Sequence, residues 1–140
     1  MLFFTGFIMT TKIFELPIKT VSEANCTEHW TKKSKRHKEQ AFFVRMAYLQ
    51  YIEQVTLPVK ITMTRCASRK LDSDNLQMAF KWIRDELSDL VCSDRIVSTS
   101  QSKTGRTIAV RGRNDSDARI NWEYKQEKSR KMGVIIEFEF

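Results

Sequence analysis

The sequence predicts an α+β domain with a small mixed β-sheet and two main helices, in the order β-α-β-α-loop-β-β. Three observations lead there. Apolar residues recur at spacings of three and four in two long segments. They alternate with polar ones in short runs near both ends and between the helices. A stretch rich in Ser, Thr, Gly and Arg then separates the second helix from the last two strands.

The first strand is Lys12 to Lys19, closed by Pro17, which suits a sheet edge. A helix is expected from His29 to about Gln54. Its stripe is Ala41, Val44, Tyr48, then Tyr51 or Ile52, and Val55. Leu57-Pro58 breaks that pattern, and Val59, Ile61 and Met63 alternate with Lys60, Thr62 and Thr64 as in a strand with one buried face. After a polar turn, Asp74 caps a second helix from Asn75 to about Leu90, with Leu76, Ala79 or Phe80, Ile83, Leu87 and Leu90 inward. Residues 92–114 read as a long basic loop carrying Arg95, Lys103, Arg106, Arg111 and Arg113, with a short strand at Thr107 to Val110. Two further strands, around Ile120 to Tyr124 and Val134 to Phe140, are expected to form a hairpin through the basic turn Lys128 to Gly133.

A chain of 140 residues suits one domain (1–140), able to bury about two-thirds of the surface it exposes when unfolded. Residues 1 to 8 read as an extension ahead of a translation start at Met9. They are too short to span a bilayer and lack the layout of a signal peptide. Cys26, Cys66 and Cys92 are odd in number and widely spaced, which points to a reduced, cytoplasmic setting and to neither zinc nor thiol exchange. A net charge of +7 favours a polyanionic partner, with nucleic acid first, since no basic amphipathic helix suited to a membrane surface is evident. Lys32, Lys33, Lys35, Arg36 and Lys38 crowd the front of the first helix and suit phosphate.

Asp72 and Asp74 bracket one residue at a helix start. Like charges this close repel unless a cation compensates, and Mg²⁺ takes one or two carboxylates together with waters and phosphate oxygens. A helix cap beside a solvated turn residue accounts for the same pair. At 100° per residue Lys81 and Asp85 share the face of Asp74, placing a lysine where a scissile phosphate would lie; taken alone, an i,i+4 surface ion pair between Lys81 and Asp85 is the simpler account. Asp117, in Asn114-Asp115-Ser116-Asp117, offers a third carboxylate from another element, unless the group is simply a capped turn. Trp30, Trp82 and Trp122 are expected to pack rather than to stack on bases.

Three ordered blocks resemble the RusA-like family of phage and bacterial Holliday-junction resolvases. They are Ser22-Glu23-Ala24-Asn25 with His29-Trp30 and the basic run, then Leu71-Asp72-Ser73-Asp74-Asn75-Leu76 with Lys81 and Arg84-Asp85, then Asp115 to Lys128. The resemblance implies a Mg²⁺-dependent homodimer that cuts two symmetric strands of a four-way DNA junction in recombination and repair, with no organic cofactor. It puts Asp72, Asp74 and Asp117 at the metal, with Asp115 and Asp94 as alternatives for the third ligand. The family's lysine position holds Met78, and Lys81, one turn later, is the substitute. Lys32, Lys33, Lys35, Arg36, Arg106, Arg111 and Arg113 would hold the DNA backbone. A catalytically inactive nucleic-acid-binding module, or a phage structural or regulatory protein of the same fold, are the alternatives.

Overall fold

The structure, a computed structural model, describes residues 9–23, 27–52, 55–92, 98–110 and 116–140. The expected extension at 1–8 lies outside them, as do Asp94, Arg95, Arg111, Arg113 and Asp115. Along the described chain run β1 (Thr11–Leu16), α1 (Trp30–Tyr51), β2 (Val59–Ala67), α2 (Ser73–Ala79), α3 (Lys81–Val91), β3 (Ser98–Gln101), β4 (Thr107–Val110), β5 (Ile120–Lys128) and β6 (Gly133–Glu139). The class is mixed α+β, with a four-stranded sheet and three helices.

The sheet order is β1-β6-β2-β5, with β2 and β5 parallel and the other pairs antiparallel. The expected hairpin of the last two strands is therefore wrong, because β2 lies between them. Residues 129–132 carry the chain past the end of β2, where Cys66 faces Gly133 and Ala67 faces Lys128. Burial explains the order. Val134, Ile136 and Phe138 are almost inaccessible and need strands on both sides, whereas β5 is mostly half-exposed and charged and takes the edge. β1 takes the other edge, as Pro17 suggests. Parallel pairing of β2 with β5 requires a long return, which α2 and α3 begin.

The helices cover one face of this sheet. Phe138 meets the rings of Phe14 and Tyr48, and Phe80 meets Tyr124, around a core that also holds Val44, Ile61, Met63, Ile83, Leu87 and Ile136. Thr62 and Thr64 are buried as well, so β2, the strand between β6 and β5, is not buried on one face alone. Ile52 is buried and Tyr51 exposed, which decides between the two candidates for the α1 stripe.

Two further expectations change. The second helix is broken: Phe80, at φ −94° and ψ 0°, separates α2 from α3. Its cap is Asp72 and not Asp74, which stands in the first turn. The basic loop contains a hairpin, β3–β4, whose turn places Gly105 at φ +80°, a conformation costly for any residue with a Cβ.

Candidate functional site

The acidic turn is built by polar side chains placed in core phase. Gln126 follows Ile120, Trp122 and Tyr124 at period two, toward the helices, and its amide grips the Leu71 backbone twice. The Leu71 N–H donates to Oε1 at 2.9 Å, and Nε2 donates to the Leu71 carbonyl at 2.7 Å. That grip sets the start of α2. The Asp72 carboxylate accepts the Asn75 N–H at 3.0 Å as N-cap, and the Ser22 hydroxyl donates to the Asn75 side-chain oxygen at 2.8 Å. Asp72 and Asp74 are both exposed on this turn.

Arg65 continues the phase of Val59, Ile61 and Met63 and is buried. Its Nε donates to Thr20 Oγ1 at 3.0 Å and its Nη1 to the Arg69 carbonyl at 2.7 Å. Burial lowers the guanidinium's pKa, and among the described residues no carboxylate offsets it. Arg65 thus ties the end of β2 to the segment before α1 and to the turn that leads into Asp72.

Beside this turn lies a partly buried ion cluster. Glu23 accepts from Arg36 Nη2 at 2.8 and 2.9 Å and lies 3.4 Å from His37 Nε2, while Arg36 also donates to Glu28. Burial works against the Arg36 charge, but Glu23 and Glu28 outweigh it and the pKa is raised. For His37 burial wins: the pKa is lowered, although Glu23 pulls it up, and Arg36 and Lys33 push it further down. The His37 ring stacks on Trp82 at 3.9 Å, and Lys81 Nζ stands 5.1 Å over the same indole. Lys81, Lys32 and Lys35 are exposed and Lys33 is half-buried. Arg36 is removed from the expected phosphate contacts, because its charge is already neutralised by two carboxylates. Arg106 is exposed in the β3–β4 turn.

Asp117 is not brought to the acidic turn. It is 8 % exposed just before β5, and Arg119 grips it through Nε at 3.1 Å, Nη2 at 2.9 Å and its backbone N–H at 3.0 Å. The Cys92 thiol donates at 3.7 Å to Oδ2, the oxygen that also accepts from Arg119 Nη2. Cys92 follows α3, whereas Asp72 precedes α2. Gln126, beside Leu71, is six positions along β5 from Ile120, so the two sites are about 20 Å apart at 3.3 Å per residue. The three-carboxylate cage expected within one chain is therefore not formed. Asp74 stands in α2 and Lys81 and Asp85 in α3, on either side of the break at Phe80; Asp74 and Lys81 are exposed and Asp85 is half-buried.

Among the described residues no three His, Cys, Asp or Glu side chains group closely enough to hold a metal ion. The pair Asp72 and Asp74 fits the smaller demand of Mg²⁺, which takes one or two carboxylates and completes its octahedron with water and phosphate. Trp82 and Trp122 are partly buried, as expected, but Trp30 is 73 % exposed and meets only the His29 ring among the aromatic contacts of the described residues. Among the described residues no helix is long and apolar enough to cross a membrane.

Sequence reasoning missed the supporting roles of Arg65, Gln126 and Glu23. A legible signal existed for the first two: an arginine and a glutamine in phase with buried apolar residues of strands must find partners inside. No protein-family model and no curated protein matches the chain.

Proposed function

We propose that the chain is a Mg²⁺-dependent, structure-selective endodeoxyribonuclease of the RusA-like type that acts on four-way DNA junctions as a homodimer, in recombination and repair. The observation that carries this reading is the bond from Ser22 to Asn75. It joins the first and second resembling blocks in space and leaves Asp72 and Asp74 facing solvent beside a basic surface.

Asp72 and Asp74 would hold the ion, which when bound supplies Lewis-acid polarisation of a phosphodiester and lowers the pKa of a coordinated water. The chain's own residues do the rest. Lys32, Lys33 and Lys35 on the opening turns of α1, with Arg106 on the hairpin, hold backbone phosphates by charge, which positions the substrate without reading bases. Arg111 and Arg113 belong to the same proposal. Lys81, whose Nζ lies 5.1 Å over the Trp82 ring, would face developing charge on the phosphate. Trp30, Lys35, Lys38 and Phe42 line one shallow depression of α1, an aromatic and basic pairing suited to an unpaired strand.

A second reading is a nucleic-acid-binding module without catalysis. The engagement of Asp117 by Arg119 favours it, as does the apolar Met78 at the family's lysine position. A panel of four-way junction, fork and linear duplex, incubated with the protein in Mg²⁺, separates the two. The nuclease reading expects incisions in the junction and none in the duplex. Salt-sensitive binding with no incision in any substrate supports the second reading and overturns the first.

A further inference from the structure

We propose that the outward face of the first half of α1 is a binding site for unpaired DNA, on which a base stacks against Trp30 and the strand's phosphates lie over Lys35 and Lys38. It rests on the reading of the chain as a DNA-acting protein only in the choice of DNA among polyanions.

The site is a shallow depression. Trp30 and Phe42 stand at its two ends with Ser34, Lys35, Lys38 and Glu39 between them, and every residue that lines it belongs to α1. Large rings normally leave water on folding, yet Trp30 and Phe42 are 73 % and 58 % exposed. Single exposed apolar side chains are ordinary, but two rings that share one depression with two lysines form a patch, and such patches mark binding surfaces.

Trp30 is also oriented before any partner arrives. The His29 ring lies 5.7 Å from it, tilted by 33°, and the His29 imidazole is tied to the Thr31 hydroxyl at 2.8 Å. At the other end Phe42 and Phe43 meet edge to face at 6.0 Å. A ring held in this way loses less side-chain freedom on binding.

Spacing and charge select the ligand. Twelve helical residues place the two rings about 18 Å apart along the axis. That length matches roughly five nucleotides of stacked strand, at about 3.4 Å each. The lysines follow Trp30 by five and eight positions, so both lie between the rings, where the backbone of such a strand would pass. Paired bases keep their faces inside the duplex, so a duplex engages the lysines alone, as a chain of carboxylates would. An unpaired strand engages lysines and rings together. Branched DNA with an unpaired arm is therefore the substrate class this face favours over a fully paired junction. Glu39 is exposed among the same residues and opposes any anion, which gives its removal a definite sign.

Anisotropy of labelled oligothymidylate, read in EDTA at low salt, tests the site. Wild type should bind the oligonucleotide. Trp30→Ala should weaken that binding about fivefold or more, as loss of one stacked base does, and weaken a labelled duplex much less. Trp30→Phe, which keeps a ring, should recover most of the loss. Glu39→Gln should tighten binding, and the pair Lys35→Gln and Lys38→Gln should weaken it and flatten its salt dependence. Circular dichroism reports that each variant is folded. Wild-type affinity in Trp30→Ala, equal losses for strand and duplex, or displacement of the oligonucleotide by polyglutamate as readily as by unlabelled oligothymidylate of matched charge would overturn the proposal. So would a wild-type chain that leaves the oligonucleotide free. Binding without metal is read apart from incision, so a chain that fails these tests yet cuts junctions in Mg²⁺ loses this site and keeps the nuclease reading. A chain that passes them and cuts nothing keeps the site and loses that reading.

Discussion

The Ser22 hydroxyl and the Asn75 side chain, 53 positions apart, meet at 2.8 Å and hold the segment before α1 against the first turn of α2. Ser22→Ala removes that donor. The expected loss is about 1 kcal/mol of stability, the net worth of one such bond, read as a lower urea midpoint with an unchanged slope. An unchanged midpoint would show that the contact does not hold the turn.

Asp72 and Asp74 stand one residue apart but differ in what the fold asks of them. Asp72 caps α2 and Asp74 does not. Asp72→Ala should therefore cost about 1 kcal/mol, as loss of an N-cap does, while Asp74→Ala costs a few tenths at most. Both should abolish cleavage. Equal stability losses in urea titrations would return the capping role to both residues.

His37 links the basic helix to pH. Its folded pKa lies below the ordinary 6.5, chiefly through burial, so the unfolded chain takes up the proton first. The stability it contributes is complete above that unfolded value and is lost as the pH falls from there through the folded one. Thermal midpoints should decline on acidification across this window. His37→Phe, which keeps a ring for Trp82 to stack on, should flatten the decline. A variant whose profile matches wild type would place the titration elsewhere.

How much was legible divides along physical lines. Periodicity located both long helical segments and the main strands, because one buried face imposes a repeat on each. It did not give the pairing of β5 with β2. Strand order depends on which strands need two neighbours, a comparison between distant segments that no local pattern contains. Both acids suit the cap position in sequence, and the two-point hold of Gln126 on Leu71 decides for Asp72 over the expected Asp74. Asp72 and Asp74 were found as an exposed pair. The site of Asp117 was not, since its pairing with Arg119 follows from burial at the mouth of β5. Arg36 read as one basic residue in a run, and only the folded chain brings Glu23 beneath it.

The central claim is that the Asp72–Asp74 turn performs hydrolysis, and cleavage of a synthetic four-way junction by Asp74→Asn in Mg²⁺ tests it most directly. The substitution removes a charge from an exposed first-turn position without touching the cap, so fold and junction binding should persist. The account predicts that incision falls by at least a hundredfold while the binding isotherm stays within about twofold of wild type. Incision at the wild-type rate would contradict it.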